Sequence, residues 1–402
     1  MRGRDPRQPH RVSTPLELLF DLTFVLAYGS AANQLASFLA AGRIGPGIGG
    51  FLVAIFAISW AWINFSWFAS AYDTDDWQFR LTTMVQMVGV LILGLGLPTM
   101  FESLGHGDID NRAMVLGYVI MRVPMIAQWW RAARQDPGRR RNSEIRIASI
   151  AISQIGWCLL LLVRSSLWLT CVLAVIPIVI ELGAPVVAEH KSETPWHPHH
   201  IAERYSLVVI IALGEGLVGT MATLAAVVGP GGPGWSLEVA LIGLAGTAMI
   251  FGMWWIYFVL PSGPILAAHR DRVGGWAYFH VVVFAAVVGV GAGLHVAAFT
   301  IAHQGVLSVP ATLACTAIPL ALYVASLFAI YRQLTRSSSA AEKWMLLGTG
   351  ITIVAAIAVA CAGVSLTYAL CVLALAPWVT VVGYEAVGYR HNANVLRETE
   401  SD

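Results

Sequence analysis

Twelve mostly apolar stretches, each near or above the roughly 20 residues a helix needs to cross a bilayer, follow one another along this chain with short polar breaks. A backbone in lipid must satisfy its own N–H and C=O groups, so a chain built this way is confined to a bundle of membrane-spanning helices. The runs lie at about 14–39, 48–71, 78–101, 112–134, 145–163, 166–188, 201–228, 236–260, 274–302, 310–332, 342–362 and 365–388. The ninth is long enough to be tilted or broken. Only Arg164, Ser165 and Ser166 divide the fifth from the sixth, and the cut between the eleventh and twelfth is weaker still. Composition supports the same class: 57% of the residues are hydrophobic and 12% charged, about half the charged share of a soluble domain.

The net charge of +1 provides no basic field for nucleic acid. Cys158, Cys171, Cys315, Cys361 and Cys371 sit inside apolar runs without CxxC spacing, which points to packing rather than disulfides or zinc. Orientation follows from Lys and Arg, which concentrate on the cytoplasmic side. With the N-terminus inside, 20 of the 24 basic residues fall in cytoplasmic segments, leaving Arg43, Arg112 and Arg164 outside and Arg122 within the fourth span. Both termini are therefore expected in the cytoplasm, and the basic leader is expected to be retained rather than cleaved.

The chain also repeats itself. CVLAVIP at 171–177 recurs as CVLALAP at 371–377, with Val179 matched by Val379 and Gly183 by Gly383. The second and eighth spans share Trp-Ile-x-Phe, the third and ninth Gly-x-Gly-Leu, and the first and seventh align loosely through Glu17 and Glu203. These matches predict an all-α membrane protein of about twelve transmembrane helices in two parallel six-helix repeats. Its segments are a basic tail at 1–12, a first repeat at 13–190, a His-rich connector at 191–200, a second repeat at 201–389 and a tail at 390–402.

Ionisable groups within the spans carry the functional signal, because lipid excludes them unless they are paired or line water. Glu17 and Asp21 lie one turn apart on one face of the first span; Glu17 also suits a helix cap after Ser13 and Thr14. Arg122, in the middle of the fourth span, should meet Asp21, Glu181 or Glu215. Burial raises a carboxyl pKa and a nearby arginine lowers it, so such a bundle holds either the parts of a proton or cation relay or an ion-pair lattice fixing helix register. Glu203 and Arg204, a turn beyond His200, complete the candidate ion or substrate pathway. Gly214, Gly216 and Gly219 flank Glu215, the best placed group for reversible protonation, and bring its helix close to a neighbour.

His190 and the connector's His197, His199 and His200 do not match a zinc motif and suit helix capping or pH sensing. His280 and His295 suit packed, hydrogen-bonded positions. Asp73, Thr74, Asp75 and Asp76 suit a solvated loop, and Trp60, Trp62, Trp67, Trp129, Trp130, Trp254 and Trp255 an interfacial belt.

Residues 13–27, STPLELLFDLTFVLA, and 197–215, HPHHIAERYSLVVIIALGE, resemble the two signature stretches of the low-temperature requirement A (LtrA) family of bacterial membrane proteins. The resemblance implies a multi-pass protein of the bacterial inner membrane and supplies a residue pattern without a substrate. The residues themselves point to a secondary transporter coupled to protons or cations, with a polar site between the halves near Asp21, Arg122, Glu181 and Glu215. A cation channel is the alternative: E-x-x-x-D-x-x-F in a duplicated six-span chain is reminiscent of a lysosomal-type potassium channel family whose first helix carries Phe-Ser-Asp, although here Phe20 directly precedes Asp21. A non-transporting scaffold is the third. No nucleophile–base constellation, cofactor motif or metal set appears, so no catalytic role is expected; the expected partners are the lipid bilayer and a small molecule or ion.

Overall fold

The computed structural model describes every residue except 2, 7, 9, 10, 163–166, 229–234, 394–396 and 398–402. Among the described residues the chain is 86% helical and without strands, and twelve helical segments are long and apolar enough to cross a membrane. The helices are α1 (Pro15–Ala40), α2 (Ile44–Tyr72), α3 (Trp77–Gly105), α4 (Arg112–Gln135), α5 (Arg140–Leu162), α6 (Leu167–Glu189), α7 (Pro198–Val228), α8 (Leu237–Phe258), the short α9 (Ser262–Ala268), α10 (Val273–Ile301), α11 (Val309–Thr335), α12 (Ala340–Cys361), α13 (Leu366–Ala374) and α14 (Ala376–Gly383). The surface is apolar and the interior partly ionic: Leu26, Leu95, Leu162, Leu244 and Val354 are exposed, while Glu17, Asp21, Arg122 and Arg204 are buried. That inversion suits lipid as the solvent.

Local chemistry sets the helix ends. Asp76 caps α3 by accepting from Phe79 N at 2.9 Å, and Ser339 with Glu342 forms a reciprocal capping box at the start of α12. The weak division between the eleventh and twelfth spans is a real turn, made by Gly363 at φ +84°, a conformation open to a residue without Cβ. The division at Arg164, Ser165 and Ser166 lies outside the described residues.

Two expectations need correcting. The ninth span is one unbroken helix, α10, and the interruption falls in the last span, where α13 gives way to α14 at Leu375 and a π-helical turn follows at Tyr384–Gly388. Pro377 enters the first turn of α14, where its missing N–H is tolerated. Pro177, in the matching heptapeptide, stays inside the continuous α6. The tryptophan belt is also only partly interfacial: Trp130, Trp254 and Trp255 are exposed, but Trp60, Trp62 and Trp129 are fully buried.

The chain divides into two compact units, residues 1–31 with 56–204 and residues 32–55 with 205–402. In the first, α3 packs on α4, α4 on α5 and α5 on α6. The second packs α10 on α11, α11 on α12, and α8 and α12 on α13 and α14. The backbones of α7 and α10 also approach closely. A Cβ on Gly219 would lie 2.7 Å from Gly291 O, and one on Gly291 would lie 2.9 Å from the Glu215 carbonyl carbon, so both positions need glycine.

Candidate functional site

In the first unit the start of α7 faces the start of α1. Each contributes two polar residues at i and i+4, so each pair occupies one helix face a turn apart. Thr14 and Glu17 first close a capping box: Thr14 N donates to Glu17 Oε2 at 2.8 Å and Glu17 N to Thr14 Oγ1 at 3.3 Å. The remaining capacity of Glu17 then meets His200 Nε2 at 3.2 Å and Arg204 Nη1 at 2.9 Å. One turn deeper, Arg204 grips Asp21 bidentately, Nε to Oδ2 at 3.1 Å and Nη2 to Oδ1 at 2.5 Å, while Trp62 Nε1 donates to Oδ1 at 2.7 Å. A planar guanidinium suits this two-carboxylate bridge, which a lysine ammonium would not reproduce. His200 presents its other nitrogen, Nδ1, to no hydrogen-bond partner among the described residues, so the geometry fits a neutral ring with its proton on Nε2.

Arg11 closes the same cluster from outside the span. Its Nη2 donates to Ala69 O at 2.7 Å and its Nη1 to Ser70 O, engaging carbonyls in the last turn of α2, where a cation also complements the helix dipole. It lies 3.9 Å from Glu17 Oε1. Burial pulls its guanidinium down to about 10, leaving it charged at neutral pH. Glu203, half-buried, accepts from Ser13 N at 3.2 Å.

A second ionic centre in this unit joins α4 to α6. Arg122 Nη2 reaches Glu181 Oε2 at 3.0 Å and Tyr118 Oη at 2.5 Å, and the Tyr118 hydroxyl donates to the same carboxylate oxygen at 2.9 Å. Trp157 Nε1 and Gln154 Nε2 approach Oε1 at 3.4 and 3.5 Å. Beside Glu181 lies a void with about 10 Å³ for water centres, bordered by Trp60, Asn64, Arg146 and Ser149, close to the smallest space that holds one water.

The expected polar site around Arg122 thus separates, within the first unit, into two centres: Arg122 takes Glu181, and Asp21 takes Arg204. Arg204, a residue of the candidate pathway that also counts among the basic residues on the cytoplasmic side, is fully buried in α7. The matched spacing, Glu17-x-x-x-Asp21 against His200-x-x-x-Arg204, is the sequence signal for their pairing. Arg11, Trp62 and Tyr118 carried no comparable signal. The aspartate loop is also not simply solvated. Asp73 is buried, which pushes its carboxyl above the usual range, whereas hydrogen bonds from Arg131 hold Asp76 well below it.

In the second unit Glu215 is only 6% exposed, and among the described residues its carboxyl has no hydrogen bond or ion pair; its backbone abuts Gly291. One turn on, His295 packs against Gly219, its Nε2 buried without a hydrogen-bond partner. Of the flanking glycines, Gly216 faces Ile250 and Gly219 faces α10, while Gly214 has nothing close. His280 is satisfied on both nitrogens, by Trp276 O at 2.8 Å and Tyr257 Oη at 3.0 Å. Among the described residues no three His, Cys, Asp or Glu side chains gather as a metal site would require.

The family model for bacterial low temperature requirement A protein (LtrA) matches residues 12–377. The chain belongs to the LtrA family. As an LtrA family protein with twelve apolar helices it is a multi-pass membrane protein. It is 27% identical over 251 residues to an uncharacterized protein of Rhizobium meliloti (strain 1021), a match covering 60% of this chain and 57% of that relative. The match therefore spans little more than half of the relative's length. No solved structure matches. The LtrA match includes both ionic centres and Glu215.

Proposed function

We propose that this LtrA family protein is a secondary transporter coupled to protons or cations, residing in the bacterial inner membrane with both termini in the cytoplasm. The observation that carries the proposal is Glu215, a carboxyl buried within a spanning helix and lacking a partner among the described residues. An intramembrane acid without a fixed cation is free to exchange a proton or accept an arriving cation, whereas one held by arginine is not. The ionic centres at Asp21–Arg204 and Arg122–Glu181 then fix helix register within the first unit. The matched heptapeptides at 171–177 and 371–377 support a duplicated architecture of the kind transporters share. No catalytic role is proposed.

The test uses purified protein in proteoliposomes containing a pH-sensitive dye, with sodium or potassium gradients imposed across the membrane. Gradient-driven proton movement that saturates and disappears in Glu215→Gln supports the transporter. A conductive current in planar bilayers would instead establish the channel, and inertness in both assays the scaffold.

A further inference from the structure

The second unit encloses a pocket that neither ionic centre nor Glu215 touches. It lies where the ends of α8 and α11 meet the start of α12 and the segment after α14, and it leaves about 70 Å³ for water-sized centres, several times the smallest space that holds one water. Its walls are mainly apolar, with Phe328, Tyr331, Met345, Val381 and Tyr384 around Glu342. We propose that this pocket binds a small organic cation, an ammonium group on a compact apolar body.

The polar groups of the wall support that ligand by contrast with one another. Tyr331 Oη donates to Asn392 Oδ1 at 2.6 Å, and Asn392 Nδ2 donates to Tyr384 Oη at 3.2 Å and Val259 O at 3.3 Å. Thr380 and Thr349 share a hydroxyl contact at 2.9 Å. These groups are satisfied among themselves. Glu342 differs: its Oε1 accepts from Ser339 N at 3.1 Å, which fixes the side chain, but among the described residues its buried Oε2 accepts no hydrogen bond. The nearest cation, Arg332 Nε, stands 3.6 Å from that oxygen on a side chain 43% exposed, beyond hydrogen-bonding distance. His391 Nε2 lies 3.8 Å from the other oxygen and already contacts Ser337 Oγ at 3.3 Å. An open carboxylate lone pair among the rings of Phe328, Tyr331 and Tyr384 is the recognition chemistry of an ammonium, which both charge pairing and cation–π attraction favour. The arginine at the rim can yield toward solvent as the ligand enters. Part of the wall is the π-helical turn Tyr384–Gly388, an irregularity that recurs at functional sites.

The inference requires no turnover, so it stands or falls apart from the transport proposal. The full chain would be placed in phosphatidylcholine nanodiscs, which supply no primary amine, and titrated with phenethylammonium by saturation-transfer NMR, with phenethyl alcohol as the uncharged counterpart. Saturable binding is expected for the amine and binding about tenfold weaker, or none, for the alcohol. Glu342→Gln keeps the helix cap and should lower amine affinity about tenfold or more. Val381→Trp, which fills the pocket and leaves the carboxyl in place, should abolish binding and serves if the first variant does not fold. Non-saturable partitioning, equal binding of amine and alcohol, or unchanged affinity in a folded variant would overturn the proposal.

Discussion

Glu17 and Asp21 in the first unit share the guanidinium of Arg204, and Glu181 shares Arg122 with the Tyr118 hydroxyl. Glu215 in the second unit is buried as deeply as Glu181, yet it packs against glycine backbone and has no cation among the described residues. The contrast separates two uses of the same chemical group in one low-dielectric bundle. A carboxylate clamped by arginine costs desolvation, and its main return is a fixed helix register. One without a clamp has little to hold its charge state constant, which is what ion coupling requires.

The comparison breaks first at Arg204. Arg204→Leu leaves two buried carboxylates without their cation, an effect of about 3–5 kcal/mol, and should sharply reduce the thermal stability or yield of detergent-solubilised protein. Removing the charges together, in Glu17→Gln, Asp21→Asn, Arg204→Leu, should recover much of that loss; no recovery would mean that Arg204 stabilises through packing alone. Arg122→Leu should be milder, about 2 kcal/mol, because Tyr118 still donates to Glu181. Gly291→Val, measured by the same thermal unfolding, forces α10 off α7 and should lose about 1–3 kcal/mol, while damaging any pH-dependent activity more than Arg122→Leu does. Glu215→Gln should change stability by less than about 1 kcal/mol, since no pairing is lost.

The smallest effect lies at the span ends, where Arg131 in the last turns of α4 meets Asp76 just ahead of α3. Because Arg131 depresses the Asp76 carboxyl below its unfolded value, the pair's contribution is fully present above about pH 4 and is lost as pH falls through the folded value. Screening at this partly exposed pair limits it to about 0.5 kcal/mol. Acid unfolding of wild type and Asp76→Asn should therefore converge at low pH and differ slightly at neutral pH.

Much of the fold was legible because lipid leaves a chain few choices: twelve apolar runs became twelve spanning segments, most with ends within a few residues of those expected. What the pattern could not show was rotation about each helix axis. Trp60, Trp62 and Trp129 are buried, and hydropathy is blind to the direction in which a side chain points. The break at Leu375 escaped for a related reason, since the same CVLAxxP heptapeptide remains helical around Pro177; packing decides, with Trp378 Nε1 bonded to Ala248 O at 3.0 Å. Arg122–Glu181 was legible as one of three pairings, because a mid-span arginine must find an acid. Arg204 was missed as the partner of Asp21 because a basic residue near a span end serves orientation and ion pairing alike.

The central claim is that reversible proton exchange belongs to Glu215 and not to the arginine-held carboxylates. Infrared difference spectra of the reconstituted protein, recorded across a pH series, test it through the carboxylic-acid C=O band. The account predicts a pH-dependent band in wild type that is absent in Glu215→Gln and retained in Glu181→Gln. A band that survives Glu215→Gln unchanged, or vanishes with Glu181→Gln instead, would contradict it.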